Sequence, residues 1–180
     1  MHVRRVVTAV GEDGKGFVSS DGPCPRTHDF ETVPGSSVTL VWATDGTDAQ
    51  SGVPEDPTMT LESMIPPVGG SLLVITQFPP DSVLASVDVA AAQEEDRRVR
   101  PGHPLNEEAA SDPFGMHRHD TIDYVFVLKG EICLELESGS ETVVRQGDIV
   151  VQHGTPHAWH NRTEEPALVA FVPMGTSSPS

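Results

Sequence analysis

The sequence is poor in cysteine. Only Cys24 and Cys133 occur in 180 residues, and no C-x-x-C pair is present. Two thiols so far apart make no disulfide framework. Cys133, within "EICLELE", reads as a small apolar core residue. Basic residues are also scarce, 11 Lys and Arg against 27 Asp and Glu, for a net charge of −16. Such a surface repels phosphate backbones and anionic lipid, which argues against nucleic-acid and membrane partners. An acidic small substrate stays admissible, because a bound metal reverses the local field. No run approaches the ~18 apolar residues of a membrane span. The opening "MHVRRVVTAV" is too short in apolar residues for a signal peptide, so a soluble, cytoplasmic protein is expected. There is no internal repeat and no coiled-coil heptad.

What is abundant is punctuation. Sixteen Gly and 16 Pro interrupt an apolar fraction of 37%, and frequent turns between short apolar runs favour an all-β fold. The length suits one domain with its own core. "RRVVTAV" and "KGFVSS" flank "GEDG", a hairpin signal. "SSVTLVWATDG" (36–46) and "GGSLLVITQFPP" (69–80) read as strands, the second stopped by a double proline. Residues 81–113 differ. "DVAAAQEEDRR" (88–98) has an N-cap-like Asp, helix formers and terminal arginines, so it predicts a short exposed helix. Its "QEEDRR" reads as a solvated face. "VRPGHPLNEEAASDPFG" follows as a loop, a surface excursion or a lid, in which His103 is given no role. From Thr121 the strands recur every 8–12 residues, turning at Lys129-Gly130 and Gln146-Gly147, as in a small antiparallel barrel or jelly roll. The expected organisation is residues 1–68 as N-terminal strands and loops packing on the barrel, 69–174 as the barrel with 81–113 inserted, and 175–180 as a disordered tail.

The chemistry concentrates in "GMHRHDTIDYVFVLKG" (115–130). Alternate residues of a strand share a face. His117, His119 and Asp123 therefore point the same way if the chain is extended. Inward neighbours lie roughly 6.6 Å apart, so two imidazoles can lean toward one ion. "QHGTPHAWHN" (152–161) supplies a third ligand. His157 opens a strand after a Gly-Thr-Pro turn, with Trp159 and Asn161 on its face and His160 on the other. Trp159 becomes a pocket wall, joined by Val125, Val127, Ile149, Val151 and Phe171. Tyr124 points away from the interior, and Asp148 pins a turn.

These two stretches resemble the two motifs of the cupin superfamily. The first has His-x-His, an acid four positions on and a glycine seven beyond. The second has Gly147, Gly154, His157 and Asn161. "LLVITQFPP" is similar to the strand that leads into the histidines, although about 35 residues intervene here. The fuller phrases "DTIDYVFVLKGE" and "VVQHGTPHAWHNRTEEPA" resemble small single-domain cupins of bacteria and fungi, some of them cupin oxidoreductases of polyketide-type clusters. The resemblance implies a metal held by His117, His119, Asp123 and His157. Asp123 stands where Glu is usual, so direct ligation, ligation through water and a supporting role all stay open. Gln152 replaces the usual proline, so Gln152 or His153 would add a polar catalytic group.

Three imidazoles and at most one carboxylate leave two or three positions open on an octahedral ion. Fe(II), Zn, Mn, Ni and Cu all suit such ligands; the resemblance puts Fe(II) first. Three functions follow. The first is a dioxygenase-type oxidoreductase acting on a small enolic, phenolic or dicarbonyl substrate. The second is a non-redox isomerase, dehydratase or decarboxylase, with Asp123 or a histidine moving the proton. The third is a non-catalytic small-molecule-binding cupin. Strands before residue 69 exceed what a minimal barrel needs, and their edges invite a homodimer.

Overall fold

The alternation that marks β6 (Thr121–Lys129) in the sequence is what builds the barrel. In the computed structural model, which describes residues 2–47, 52–103 and 115–177, Thr121, Asp123, Val125 and Val127 are buried while Tyr124 and Leu128 face out. Earlier strands are β1 (Arg4–Val10), β2 (Gly16–Pro23), β3 (Arg26–Asp29), β4 (Ser37–Thr44) and β5 (Ser71–Phe78). Later ones are β7 (Glu131–Leu136), β8 (Glu141–Arg145), β9 (Ile149–His153), β10 (His157–His160) and β11 (Ala167–Gly175). A six-stranded sheet runs β3-β4-β5-β11-β6-β9, and a three-stranded sheet runs β10-β7-β8. All these pairings are antiparallel. The result is the expected all-β, jelly-roll type of barrel. β1 and β2 form a separate hairpin around the "GEDG" turn.

The core lies between the sheets. Val125 and Val127 of β6 meet Ile132 and Leu134 of β7, Val144 of β8 and Val169 of β11. Each such side chain, fully buried, is worth about 1.5–3 kcal/mol. The β6–β7 turn needs its glycine: Gly130 has φ +78°, and a Cβ there would lie 3.2 Å from Ala167 Cα.

β4 hydrogen-bonds to β5 along its length and β3 to β4, so these two of the strands before residue 69 continue the main sheet. Their far end is covered by two helices, α1 (Asp81–Leu84) and α2 (Val89–Val99). Asp88 caps α2 by accepting from Ala91 N at 3.1 Å, as its sequence predicts. The expectation of an exposed helix is corrected. Ala92, Glu95 and Asp96 are buried, because positions 92, 95, 96 and 99 form one helical stripe against Phe30, Leu40 and Val74. Glu95 and Asp96 are thus not part of a solvated face.

Gly175 ends β11, and Thr176 donates to Asp120 O from both N and Oγ1. The remainder of the 81–113 excursion from residue 104, and residues 178–180 of the tail, lie outside the described residues. No helix among the described residues is long and apolar enough to cross a membrane.

Candidate metal centre

A backbone bridge joins the two histidine-bearing segments. His117 N donates to His157 O and His157 N to His117 O, both at 2.9 Å. Paired residues of an antiparallel bridge carry their side chains on one face, and the two rings lie 4.5 Å apart. The His119 ring is 5.2 Å from that of His117. Asp123 sits on the inward face of β6, opposite Gln152 of β9. All four, His117, His119, Asp123 and His157, line one cavity of about 120 Å³. A fourth imidazole enters from the turn after α2. His103 lies 5.1 Å from His117 and 5.3 Å from His119, ring to ring. One ring nitrogen from each of His103, His117 and His119 falls within 4.8 Å of the others, which is compatible with a metal ion.

The polar atoms around this cavity are oriented and short of partners. His117 Nδ1 is 2.8 Å from Gly115 O, and His157 Nδ1 is 2.9 Å from Thr155 O. A carbonyl only accepts, so each Nδ1 carries the proton and leaves Nε2 with a lone pair. Among the described residues, three buried atoms around the cavity have no hydrogen-bond partner: His103 Nδ1, His119 Nε2 and Asp123 Oδ1. Such orphans are costly unless something pairs with them. Burial, with His157 beside it, pushes the His117 imidazole down to about 3. The same two causes bring His119 down to about 4. Burial also lowers His103 and His157 and raises the Asp123 carboxyl. The imidazoles are therefore neutral at pH 7, the form that binds a metal. Donor chemistry, orphaned atoms and protonation all fit a divalent ion.

Residues 107–173 match the family model Cupin_2, the cupin domain. Over this stretch the chain resembles a cupin domain. Among curated relatives, it is 52% identical over 48 residues to phomopsin biosynthesis cluster protein C' of Diaporthe leptostromiformis, and 48% over 48 residues to the cupin-domain-containing oxidoreductase virC of Hypocrea virens. Each match covers 27% of this chain and 25% of the relative, so the chain spans about a quarter of the relatives' length. Among solved structures, the Cupin_2 domain of an XRE family transcriptional regulator from Enterobacter cloacae is 15% identical, with a TM-score of 0.41 over 79% of this chain and 99% of that one.

Within this barrel several expected site residues fall elsewhere. His153 is exposed on the outer face, away from the cavity. The register is the reason: Asp123 pairs with Gln152, so Gln152 points inward and its neighbour cannot. By the same parity Ile149 and Val151 are exposed rather than pocket walls. Val125 and Val127 point inward but pack in the core beneath the cavity, which they do not line. Trp159 and Phe171 do line it, with rings 5.8 Å apart. Gln152 sits behind His157: its Nε2 donates to Thr155 O at 2.8 Å and lies 3.0 Å from His157 Nδ1. His160 faces outward and bonds Glu135 at 2.7 Å. His103 is the residue that sequence reasoning passes over. Its only local signal is a histidine in a Pro-Gly-His-Pro turn directly after a helix.

Proposed function

We propose that this cupin is a metal-dependent oxidoreductase of dioxygenase type, acting on a small enolic, phenolic or dicarbonyl molecule. The observation that carries the reading is the His117–His157 bridge, which points imidazoles from two distant segments into one cavity. His117, His119 and His157 would hold the ion, with Asp123 ligating directly or through water. A bound divalent ion, Fe(II) first, supplies redox chemistry and a Lewis acid for paired substrate oxygens. The protein supplies the rest. Phe78, Trp159 and Phe171 pack against the carbon skeleton and exclude water. At about 120 Å³ the cavity is somewhat smaller than the roughly 150 Å³ that holds one benzene, which restricts the substrate to a small molecule. The relatives named as oxidoreductases support this assignment.

One observation favours a second reading. Asp123 Oδ1 is buried, unpartnered and on the cavity wall, which fits a carboxyl that moves a substrate proton in a non-redox isomerisation or decarboxylation.

The test is metal analysis of protein purified without a chelating tag, followed by anaerobic Fe(II) loading and oxygen-electrode assays with β-diketones and catechols. Oxygen uptake that depends on iron and substrate is expected. Turnover unchanged in anaerobic buffer would favour the second reading, and failure to retain any metal would exclude both.

A further inference from the structure

We propose that His103 is an additional imidazole ligand of this ion, oriented by Asp96, and that metal binding thereby fastens the C-terminal end of helix α2 to the cavity. The inference rests on the metal reading above but concerns a segment outside both histidine motifs.

His103 is held by a built turn. Its N–H donates to Arg100 O at 3.1 Å, and Pro101 O accepts from Met64 N at 2.7 Å. Gly102 between them has φ +81°, and a Cβ there would stand 2.6 Å from Ser63 Oγ. A side chain at position 102 would have to displace the Ser63 hydroxyl and hold a left-handed φ, straining the turn that carries His103.

The imidazole so placed is incomplete. His103 Nδ1 is buried without a hydrogen bond and faces Asp96 Oδ2 at 3.6 Å. That oxygen is also unpartnered, on a fully buried carboxylate whose other oxygen accepts from Arg100 Nε at 2.5 Å. Two facing orphans just beyond hydrogen-bond distance need only a few tenths of an ångström to become an Nδ1–H···O pair. A carboxylate behind the distal nitrogen is the arrangement that fixes the tautomer of a metal-bound histidine. Carbonyls of Gly115 and Thr155 already do this for His117 and His157. With Nδ1 turned to Asp96, His103 Nε2 is the atom left for the ion. The α2 end then contributes a ligand, its orienting carboxylate and the arginine that holds that carboxylate.

The probe is Co(II), whose visible spectrum reports the number and kind of its ligands, added to the full chain. His103→Ala and His103→Gln should each weaken Co(II) binding by about 10-fold or more and alter the spectrum. Amides of α2 in the unsubstituted protein should exchange hydrogen more slowly once Co(II) is bound. His103 variants should lose that protection. Unchanged affinity and spectrum in a folded His103 variant would overturn the inference. So would α2 exchange indifferent to Co(II) in the unsubstituted protein, a result that stands even if the variants fail to fold. Binding by unsubstituted protein and His103→Ala alike, with loss in His117→Ala, removes this inference and leaves the proposed function intact. No Co(II) binding by the unsubstituted chain removes both.

Discussion

His157 can present Nε2 to an ion only while its other nitrogen is held, and that duty falls on two neighbours. Thr155 O accepts from Nδ1, and Gln152 Nε2 donates to the same carbonyl and, at 2.5 Å, to Thr155 Oγ1. Gln152→Leu removes the clamp on the 153–156 turn while filling the space. Expected effects are about 10-fold weaker metal binding and a loss of about 1–2 kcal/mol in stability, read by chelator competition and urea unfolding. His153→Ala, one residue away but outward, should change stability by no more than about 0.5 kcal/mol and leave metal affinity as it was. Metal affinity in Gln152→Leu equal to the unsubstituted protein would deny Gln152 any orienting role. The contrast shows what side-chain periodicity can and cannot reveal. His-x-His and the turn before His157 are legible because local alternation sets their direction. Choosing between Gln152 and His153 requires the register of β9 on β6. His103 reaches the site only through the tertiary path of residues 81–103, which no local pattern encodes.

At the scale of the element, α2 shows how a helix rich in acid becomes a packed one. Glu95 accepts from Glu31 N and Thr32 N at 2.9 Å each, from Thr32 Oγ1 at 2.5 Å, and pairs with His28 Nε2 at 2.7 Å. Burial alone would raise its carboxyl. The Thr32 hydroxyl, the two backbone N–H groups and His28 outweigh burial and bring it down to about 2. A folded value below the unfolded one means stability that is complete above about pH 4.5 and is lost as pH falls toward about 2. The shift corresponds to about 3 kcal/mol at most. Glu95→Gln should therefore be less stable at pH 7, because its amide NH₂ faces donors. The gap from the unsubstituted protein should close between pH 5 and about 2, as followed by urea midpoints. A gap constant with pH would show that Glu95 does not carry this linkage. The turns at Gly130 (β6 to β7) and Gly147 (β8 to β9) each carry the chain from one sheet to the other rather than round a hairpin. The turns themselves and the N-cap Asp88 are legible in the sequence. The docking of α2 is not, since its partners lie more than 60 residues away. α1 and β3 are equally hidden: α1 is a single turn tied to Asn161, whose N donates to Asp81 Oδ1 at 2.8 Å, and β3 is four polar residues paired to β4.

For the molecule as a whole, the acidic surface and one apolar strip act against each other. Tyr124 and Leu128 of β6 and Ile149 and Val151 of the edge strand β9 are exposed on the outer face, with Tyr124 and Val151 directly paired. An exposed apolar strip along an edge strand invites a second copy. A net charge of −16 opposes that approach. We therefore expect a homodimer through β6 and β9 whose affinity rises with ionic strength, because salt screens the repulsion and leaves apolar burial in place. Sedimentation equilibrium at roughly 0.01 M and 0.15 M salt, where the screening length falls from about 30 Å to about 8 Å, reads this directly. Val151→Lys places a charge at the centre of the strip without touching the cavity. It should shift the protein to monomer while leaving metal binding unchanged, since Val151 faces away from His157. A chain that stays monomeric at both salt concentrations, or a Val151→Lys variant that still dimerises as tightly, would show that this face is not where copies meet.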